Sequence, residues 1–211
     1  MKPDRDTPPP RLSDELFLIL KLAAGNSLTL RQIIEILHGR AFNIIVVLLA
    51  LPFCTPIPLF GLSTPFGFAL MIFGLRIALR KKPWLPEAIL NRQIPYPTLE
   101  KIISVTLRAA YYMEKILHPR LEFLHRWTTF SVLNGLIIAL NAFCLMLPLP
   151  IPFTNMLPAV SIVLLAAGMM EEDGAAILAG YIAAVISMTY FIFLLWVGKA
   201  GVKLGAHWLG Y

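Results

Sequence analysis

The stretch that decides the fold is LPLPIPFTNMLP, residues 147–158. It lies inside an apolar block that runs from Thr129 to Met170. Its prolines are Pro148, Pro150, Pro152 and Pro158. Proline has no backbone N–H and its ring clashes with the preceding helical turn, so no continuous helix can pass through this stretch. We therefore expect two helical arms, Thr129–Leu147 and Met156–Met170, joined by a bend.

An earlier apolar block, Ala41–Leu79, has the same design. It is interrupted by Pro52, Pro56, Pro58, Gly61 and Pro65. The arms Ala41–Pro52 and Phe66–Arg80 are about 18 and 22 Å long at 1.5 Å per residue, short of the roughly 30 Å hydrocarbon core of a bilayer. We predict a re-entrant hairpin, whose bare backbone groups other protein or water must satisfy because lipid offers no hydrogen bonds.

The two blocks match each other at an offset of 94 residues. Pro56-Ile57-Pro58 falls on Pro150-Ile151-Pro152, and Gly74 falls on Gly168. Matching breaks between short apolar arms indicate an internal duplication.

The composition favours a bilayer as the solvent of the chain. Its 211 residues are 58% hydrophobic and 14% charged, with a net charge of +6; soluble domains average about 45–50% apolar and 25% charged. The excess of cations lies in residues 76–126, which hold ten Lys or Arg against four Glu, and the positive-inside rule predicts that this linker is cytoplasmic. Headgroups explain the charge better than nucleic acid does, so we expect no nucleic-acid partner.

We predict an all-α, polytopic helical membrane protein, with the whole chain forming a single membrane domain. Amphipathic helices are expected at Leu12–Ala24 and Leu30–Leu37, the second capped by Thr29, and an interfacial helix at Leu99–Leu117. The expected segments are a tail (1–11), a first repeat with a broken hairpin (12–80), a basic interfacial linker (81–127), a second broken hairpin (128–173) and one uninterrupted transmembrane helix (174–198).

Polar side chains are scarce in the apolar blocks, so each is a candidate for binding substrate. Asn134 and Asn141 are seven residues apart and share a helix face, which favours helix packing over a ligand. The pairs Ser63-Thr64 and Thr154-Asn155 lie in the breaks, where polar groups can bind a solute. These residue types are also good N-caps, and we favour this interpretation. Capping does not exclude a binding site for a solute.

The charged candidates are Arg76 and the cluster Glu171, Glu172 and Asp173. The cluster can hold a cation or accept protons, but it more often marks a helix boundary, where negative charge suits the helix dipole. No hydrolase, phosphate-loop or metalloprotease motif occurs, and Cys54 and Cys144 lie in apolar runs. We expect no enzyme activity, no cofactor and no metal site.

The ordered set of short motifs resembles the ExoD family over roughly residues 12–195. The motifs are His38-Gly39-Arg40, Ala50-Leu51-Pro52, Pro56-Ile57-Pro58, Leu62-Ser63-Thr64, Pro83-Trp84-Leu85-Pro86, Leu147 to Ala159, and Asp173-Gly174. The resemblance implies a bacterial inner-membrane protein connected with exopolysaccharide synthesis, of unsettled biochemical activity.

The leading hypothesis is a small transporter or permease-like protein. Its two broken hairpins would meet and admit an ion or a small polar or lipid-linked solute. A chain this short encloses a path poorly, so we expect a homodimer in the bilayer. The alternative is a non-transporting scaffold or regulator of polysaccharide synthesis and export proteins, and an intramembrane enzyme ranks third.

Overall fold

Helices make up most of the computed structural model, which describes residues 12–37, 40–55, 61–81, 87–116, 128–147, 149 and 151–208. The α-helices are α1 (Leu12–Ala23), α2 (Leu30–Ile36), α3 (Ala41–Ala50), α4 (Ser63–Ala78), α5 (Glu87–Leu90), α6 (Tyr96–Ile116), α7 (Thr128–Met146), α8 (Met156–Met170) and α9 (Gly174–Trp208). A short 3₁₀ helix, Leu51–Cys54, continues α3, and the strands are β1 (Leu28–Thr29) and β2 (Gln93–Ile94). The predicted all-α class is confirmed.

One compact unit comprises residues 1–41 and 84–118. In it α1 packs against α6, and β1 pairs antiparallel with β2, a two-residue ladder that the sequence did not predict. Thr29 caps α2 as predicted, because its hydroxyl accepts the backbone N–H of Gln32 and its own N–H donates to the Gln32 side chain. This reciprocal pair is a capping box.

The second unit, residues 42–83 and 119–211, contains both proline-rich blocks. The helix bounds agree with the predicted arms to within three residues. Four of the eight predicted break prolines lie outside the described residues: Pro56, Pro58, Pro148 and Pro150. Of the others, Pro52 is the second residue of the 3₁₀ helix, and Pro65 and Pro158 lie in the first turns of α4 and α8, where a missing N–H costs nothing.

Helix lengths differ sharply within this unit. At 1.5 Å per residue, α4 and α8 span about 24 and 22 Å, whereas α9 spans about 52 Å. Among the described helices, only Gly174–Lys199 has by itself the length and composition to cross a bilayer, and the number rises to two only if the bent pair Leu30–Ile36 and Ala41–Cys54 is taken as one span. The uninterrupted helix predicted at 174–198 is therefore present, and it continues to Trp208.

The seam between α4 and α7 is built from glycine and alanine. Gly67 lies against the backbone of Ala142 and Met146, and Gly74 lies against that of Gly135 and Ala139. Residue numbers rise along α4 while they fall along α7, so the two helices are antiparallel. Without side chains between them the backbones touch, which is the small-residue packing common between membrane helices.

A second seam joins α8 to α9. The Ser161 hydroxyl donates to the carbonyl of Gly180 at 3.0 Å, and Gly168 lies against Ile177. These contacts make α8 and α9 antiparallel neighbours. Because α7 also packs against α8 and α9, the three helices form a bundle in which α7 and α9 run in the same direction.

Candidate functional site

The end of α7 shows how the chain compensates for its prolines. In a continuing helix the carbonyls of Cys144 and Met146 would accept N–H groups from residues 148 and 150, which are prolines and have none. The Cys144 carbonyl accepts the Leu147 N–H at 3.1 Å instead. The Met146 carbonyl accepts the hydroxyl of Thr64, also at 3.1 Å. A side chain from the first block thus satisfies a carbonyl that the second break leaves bare.

The first break solves the same problem locally. Pro52 is followed four residues later by another proline, so its carbonyl also lacks a helical donor. The Thr55 hydroxyl donates to it at 3.2 Å. Position 52 corresponds to position 146 at the offset of 94, so at equivalent points a threonine hydroxyl replaces a missing N–H.

The expected capping by the polar pairs in the breaks is wrong. The N-cap of α4 is Leu62, so Ser63 and Thr64 are the first two residues of the helix and do not cap it. Asn155 stands at the N-cap of α8, but its side chain makes no capping bond. Both N-cap residues have helical backbone angles, which turn a side chain away from the first N–H groups. The Thr154 hydroxyl donates instead to the carbonyl of Ile151 at 2.7 Å, within its own turn.

This turn between α7 and α8 is strained and held from outside. Phe153 has φ 66°, a left-handed conformation that is unfavourable for a bulky residue. The carbonyl of the preceding residue, Pro152, accepts a hydrogen bond from the Tyr190 hydroxyl of α9 at 2.7 Å. Strained backbone of this kind persists where the surroundings fix it, often near a functional site.

The two asparagines of α7 have different surroundings. The Asn134 amide oxygen accepts the Tyr181 hydroxyl of α9 at 2.5 Å, the helix-packing role that we favoured. Asn141 is fully buried, and its amide nitrogen donates to the Ile137 carbonyl of its own helix at 3.0 Å. Sequence reasoning missed Tyr181, because a tyrosine in an apolar run gives no periodic signal.

The charged candidates are not brought together with the polar ones. Asp173 is buried and accepts the N–H groups of Ala175 and Ala176 at the start of α9, so it marks a helix boundary as we expected. Glu171 and Glu172 lie beside it in the turn after α8, and Arg76 is half-buried in the last turn of α4. These are the helix ends opposite to the breaks. Ser63 and Thr64 begin α4 beside the end of α7, with Ser63 buried.

Large apolar side chains face outward along three helices. On α4 they are Phe68, Ile72 and Leu75, followed by Leu79 just after its end, and on α7 they are Leu133, Leu136, Leu140 and Phe143. On α9 only 28% of the span is buried, whereas the core helix of a soluble protein is mostly buried. Exposed apolar side chains in such numbers are typical of a membrane or protein interface.

Comparison with known proteins gives a consistent result. The sequence profile described as "Exopolysaccharide synthesis, ExoD" matches residues 12–193. The chain is 36% identical over 187 residues to Protein ExoD of Rhizobium meliloti, covering 87% of this chain and 77% of that protein. It is 32% identical over 189 residues to an uncharacterized protein of Synechocystis, covering 89% and 88%. No solved structure matches.

Proposed function

Because the chain belongs to the ExoD family, which is linked to exopolysaccharide synthesis, we propose that it is a multi-pass protein of the bacterial inner membrane. In this proposal it passes an ion or a small polar or lipid-linked solute at its paired helix breaks. The observation that carries the proposal is the hydrogen bond from Thr64 to the Met146 carbonyl, which joins the two breaks at one end of the α4–α7 pair.

The outer surface of the second unit supports placement in lipid. Its outward faces on α4, α7 and α9 are apolar, and its inner seams are made of glycine, alanine and serine. Lipid supplies no hydrophobic force between helices, so close backbone packing through small residues is the means of association that a bilayer favours. Helices as short as α4 and α8 then suit hairpins that enter without crossing.

The polar interior supports a solute path. Asn141, Thr154 and Asn155 are buried, although an apolar protein gains nothing from burying amides and hydroxyls. Broken helices expose backbone groups at depth only where protein or a water-lined cavity surrounds them. Three or four helices enclose such a path incompletely, so we propose a homodimer whose second copy completes the wall.

Reconstitution tests the transport proposal. The protein is placed in vesicles, and the flux of alkali cations, protons and small sugars is measured against empty vesicles. We expect flux for at least one solute, and we expect Thr154→Ala with Asn155→Val to lower it at least tenfold without changing assembly in detergent. The matched control is Thr189→Ala, which removes an exposed hydroxyl that bonds only within α9 and should keep the flux. Flux at the empty-vesicle level throughout would refute transport.

A non-transporting scaffold is the second candidate, and a feature of the first unit favours it. An open cleft of about 500 Å³ is lined by Leu22, Leu28, Gln32, Glu35 and Ile36. Its apolar walls with a polar edge suit a segment of a polysaccharide synthesis or export protein. In this case Leu22→Glu abolishes co-purification of those proteins while Thr154→Ala has no effect. Loss of flux in Thr154→Ala, with co-purification unchanged in Leu22→Glu, favours transport instead.

A further inference from the structure

Three uncharged side chains that are buried in the second unit each have a polar atom without a hydrogen-bond partner. The atoms are Asn141 Oδ1, Asn155 Oδ1 and Ser187 Oγ, and within the described residues none of them makes a hydrogen bond. Their side chains are at least nine-tenths buried. Buried polar atoms are nearly always paired, so each of these points to a group that the protein itself does not provide.

The packing of the bundle places the three atoms at one height. Ser161–Gly180 and Pro152–Tyr190 fix the antiparallel register of α8 and α9, and this register sets Asn155 opposite Ser187. Asn134–Tyr181 fixes the register of α7 and α9. Asn141 lies seven residues after Asn134 on α7, and Ser187 lies six residues after Tyr181 on α9. Because the two helices run in the same direction, these offsets of about 10 and 9 Å place Asn141 and Ser187 at the same level.

This height is also where the backbone has too few donors. Alternate residues from 148 to 152 are prolines, so three of these five residues have no N–H group, and Pro158 removes another from the first turn of α8. The last carbonyls of α7 meet this turn. The Cys144 carbonyl accepts the Leu147 N–H and the Met146 carbonyl accepts the Thr64 hydroxyl, which leaves each carbonyl a second lone pair. Oxygen atoms therefore outnumber N–H groups around the three unpaired side chains.

The helical segments around this break contain no charged side chain that could balance the charge of a divalent ion. The sequence contains no Asp, Glu, Lys or Arg from residue 134 to 166 or from 174 to 198. Burying an unbalanced divalent ion costs far more than burying a monovalent one, and an anion would meet acceptors rather than donors. Neutral carbonyl, amide and hydroxyl oxygens are the ligands that hard cations prefer.

We propose that the break between α7 and α8 binds a monovalent alkali cation, held by Asn141 Oδ1, Asn155 Oδ1, Ser187 Oγ and carbonyls at the end of α7. The inference rests on the solute path proposed above and names its solute or coupling ion. Ser187 gains a role that neither its position in an apolar helix nor the family assigns.

Thermal unfolding of the purified full-length protein tests the site without requiring transport. The probe is NaCl, KCl or LiCl from 1 to 100 mM, with N-methyl-D-glucamine chloride holding the ionic strength constant. A ligand that binds only the folded state raises Tm with the logarithm of its concentration, and we expect a rise of about 5 °C for the preferred cation. A Tm that is the same in all four salts overturns the proposal and assigns water to the three atoms.

Two buried serines provide a matched comparison. Ser187→Ala removes a proposed ligand, so we expect it to abolish the cation-dependent rise in Tm. Ser161→Ala removes a hydroxyl that is already bonded to Gly180, so it lowers Tm in every salt and leaves the rise intact. Asn141→Leu should behave like Ser187→Ala. If both of these variants retain the full rise, the cation binds elsewhere and the assignment is wrong.

Binding and flux separate the two proposals. A cation-dependent Tm without flux in vesicles keeps this site and refutes transport. Solute flux that is unaffected by replacing Na⁺, K⁺ and Li⁺ with N-methyl-D-glucamine, together with an unchanged Tm, keeps transport and refutes this site.

Discussion

The sharpest prediction concerns Gly135, which lies against the last turn of α4 in the seam between α4 and α7. A methyl group there would collide with the backbone nitrogen of Ala78 and lie 2.7 Å from the carbonyl oxygen of Gly74. Both are backbone atoms of α4, so relief requires moving the backbone of this helix away from α7. We therefore expect Gly135→Ala to separate the two helices.

The magnitude follows from two opposing terms. Overpacking of a close contact costs about 1–3 kcal/mol, and backbone collisions belong at the upper end. Replacing glycine by alanine inside a helix returns about 1 kcal/mol. The net loss of stability is about 2 kcal/mol, which for a chain of this size lowers Tm by about 4–8 °C.

Gly198 supplies the control, because it is an exposed helical glycine with no atom within 4 Å of an added methyl group. Gly198→Ala should keep the helix-propensity gain of about 1 kcal/mol and raise Tm by about 2–4 °C. Thermal unfolding in detergent compares the two variants. If Gly135→Ala also raises Tm, the helices are not as close as described and the reasoning fails.

The same contact predicts that the stability losses caused by substitutions at Gly74 and Gly135 are not additive. Added methyl groups at Gly74 and Gly135 each approach the carbonyl of the other residue. Once the first has separated the helices, the second has little left to displace. The double variant should lose at least about 1 kcal/mol less than the sum of the single losses, a coupling expected only between contacting residues.

Three further sets of substitutions test hydrogen-bonded side chains by thermal unfolding. Thr64→Val leaves the Met146 carbonyl bare and should cost about 1–2 kcal/mol, whereas Thr64→Ser should restore most of the loss; equal losses would exclude the hydroxyl as the cause. Asp173→Ala should cost about 1 kcal/mol by uncapping α9 and Asp173→Asn much less, since an amide oxygen also caps. Tyr181→Phe and Asn134→Leu should show a coupling of about 1 kcal/mol in a double-mutant cycle; zero coupling means that the pair does not bond.

Features that depend on local covalent chemistry were predictable. Proline has no N–H wherever it stands, so the sequence alone places the helix breaks in both blocks. Thr29 and Asp173 act on residues two or three positions away, which is the range that capping patterns describe. The long terminal helix follows from an apolar run free of proline.

Features that depend on distant partners were not predictable. Thr64 looks like an N-cap in sequence, and only the approach of α7, 82 residues later, gives its hydroxyl a different acceptor. Gly74 matches Gly168 in the repeat, but its close contact with Ala139 depends on the antiparallel pairing of α4 and α7. Nothing in the sequence distinguishes Ser187 from other helical serines, and it is a candidate because its hydroxyl is buried and unpaired within the described residues.

The bond between Thr64 and Met146 ties the evolution of two positions that lie far apart in the chain. Wherever a relative replaces Pro150 by a residue with an N–H, the Met146 carbonyl regains a potential donor and selection on position 64 relaxes. Wherever that proline stays, loss of the hydroxyl at 64 leaves a defect that a neighbouring mutation must repair. An alignment of the family should therefore show covariation between these two columns.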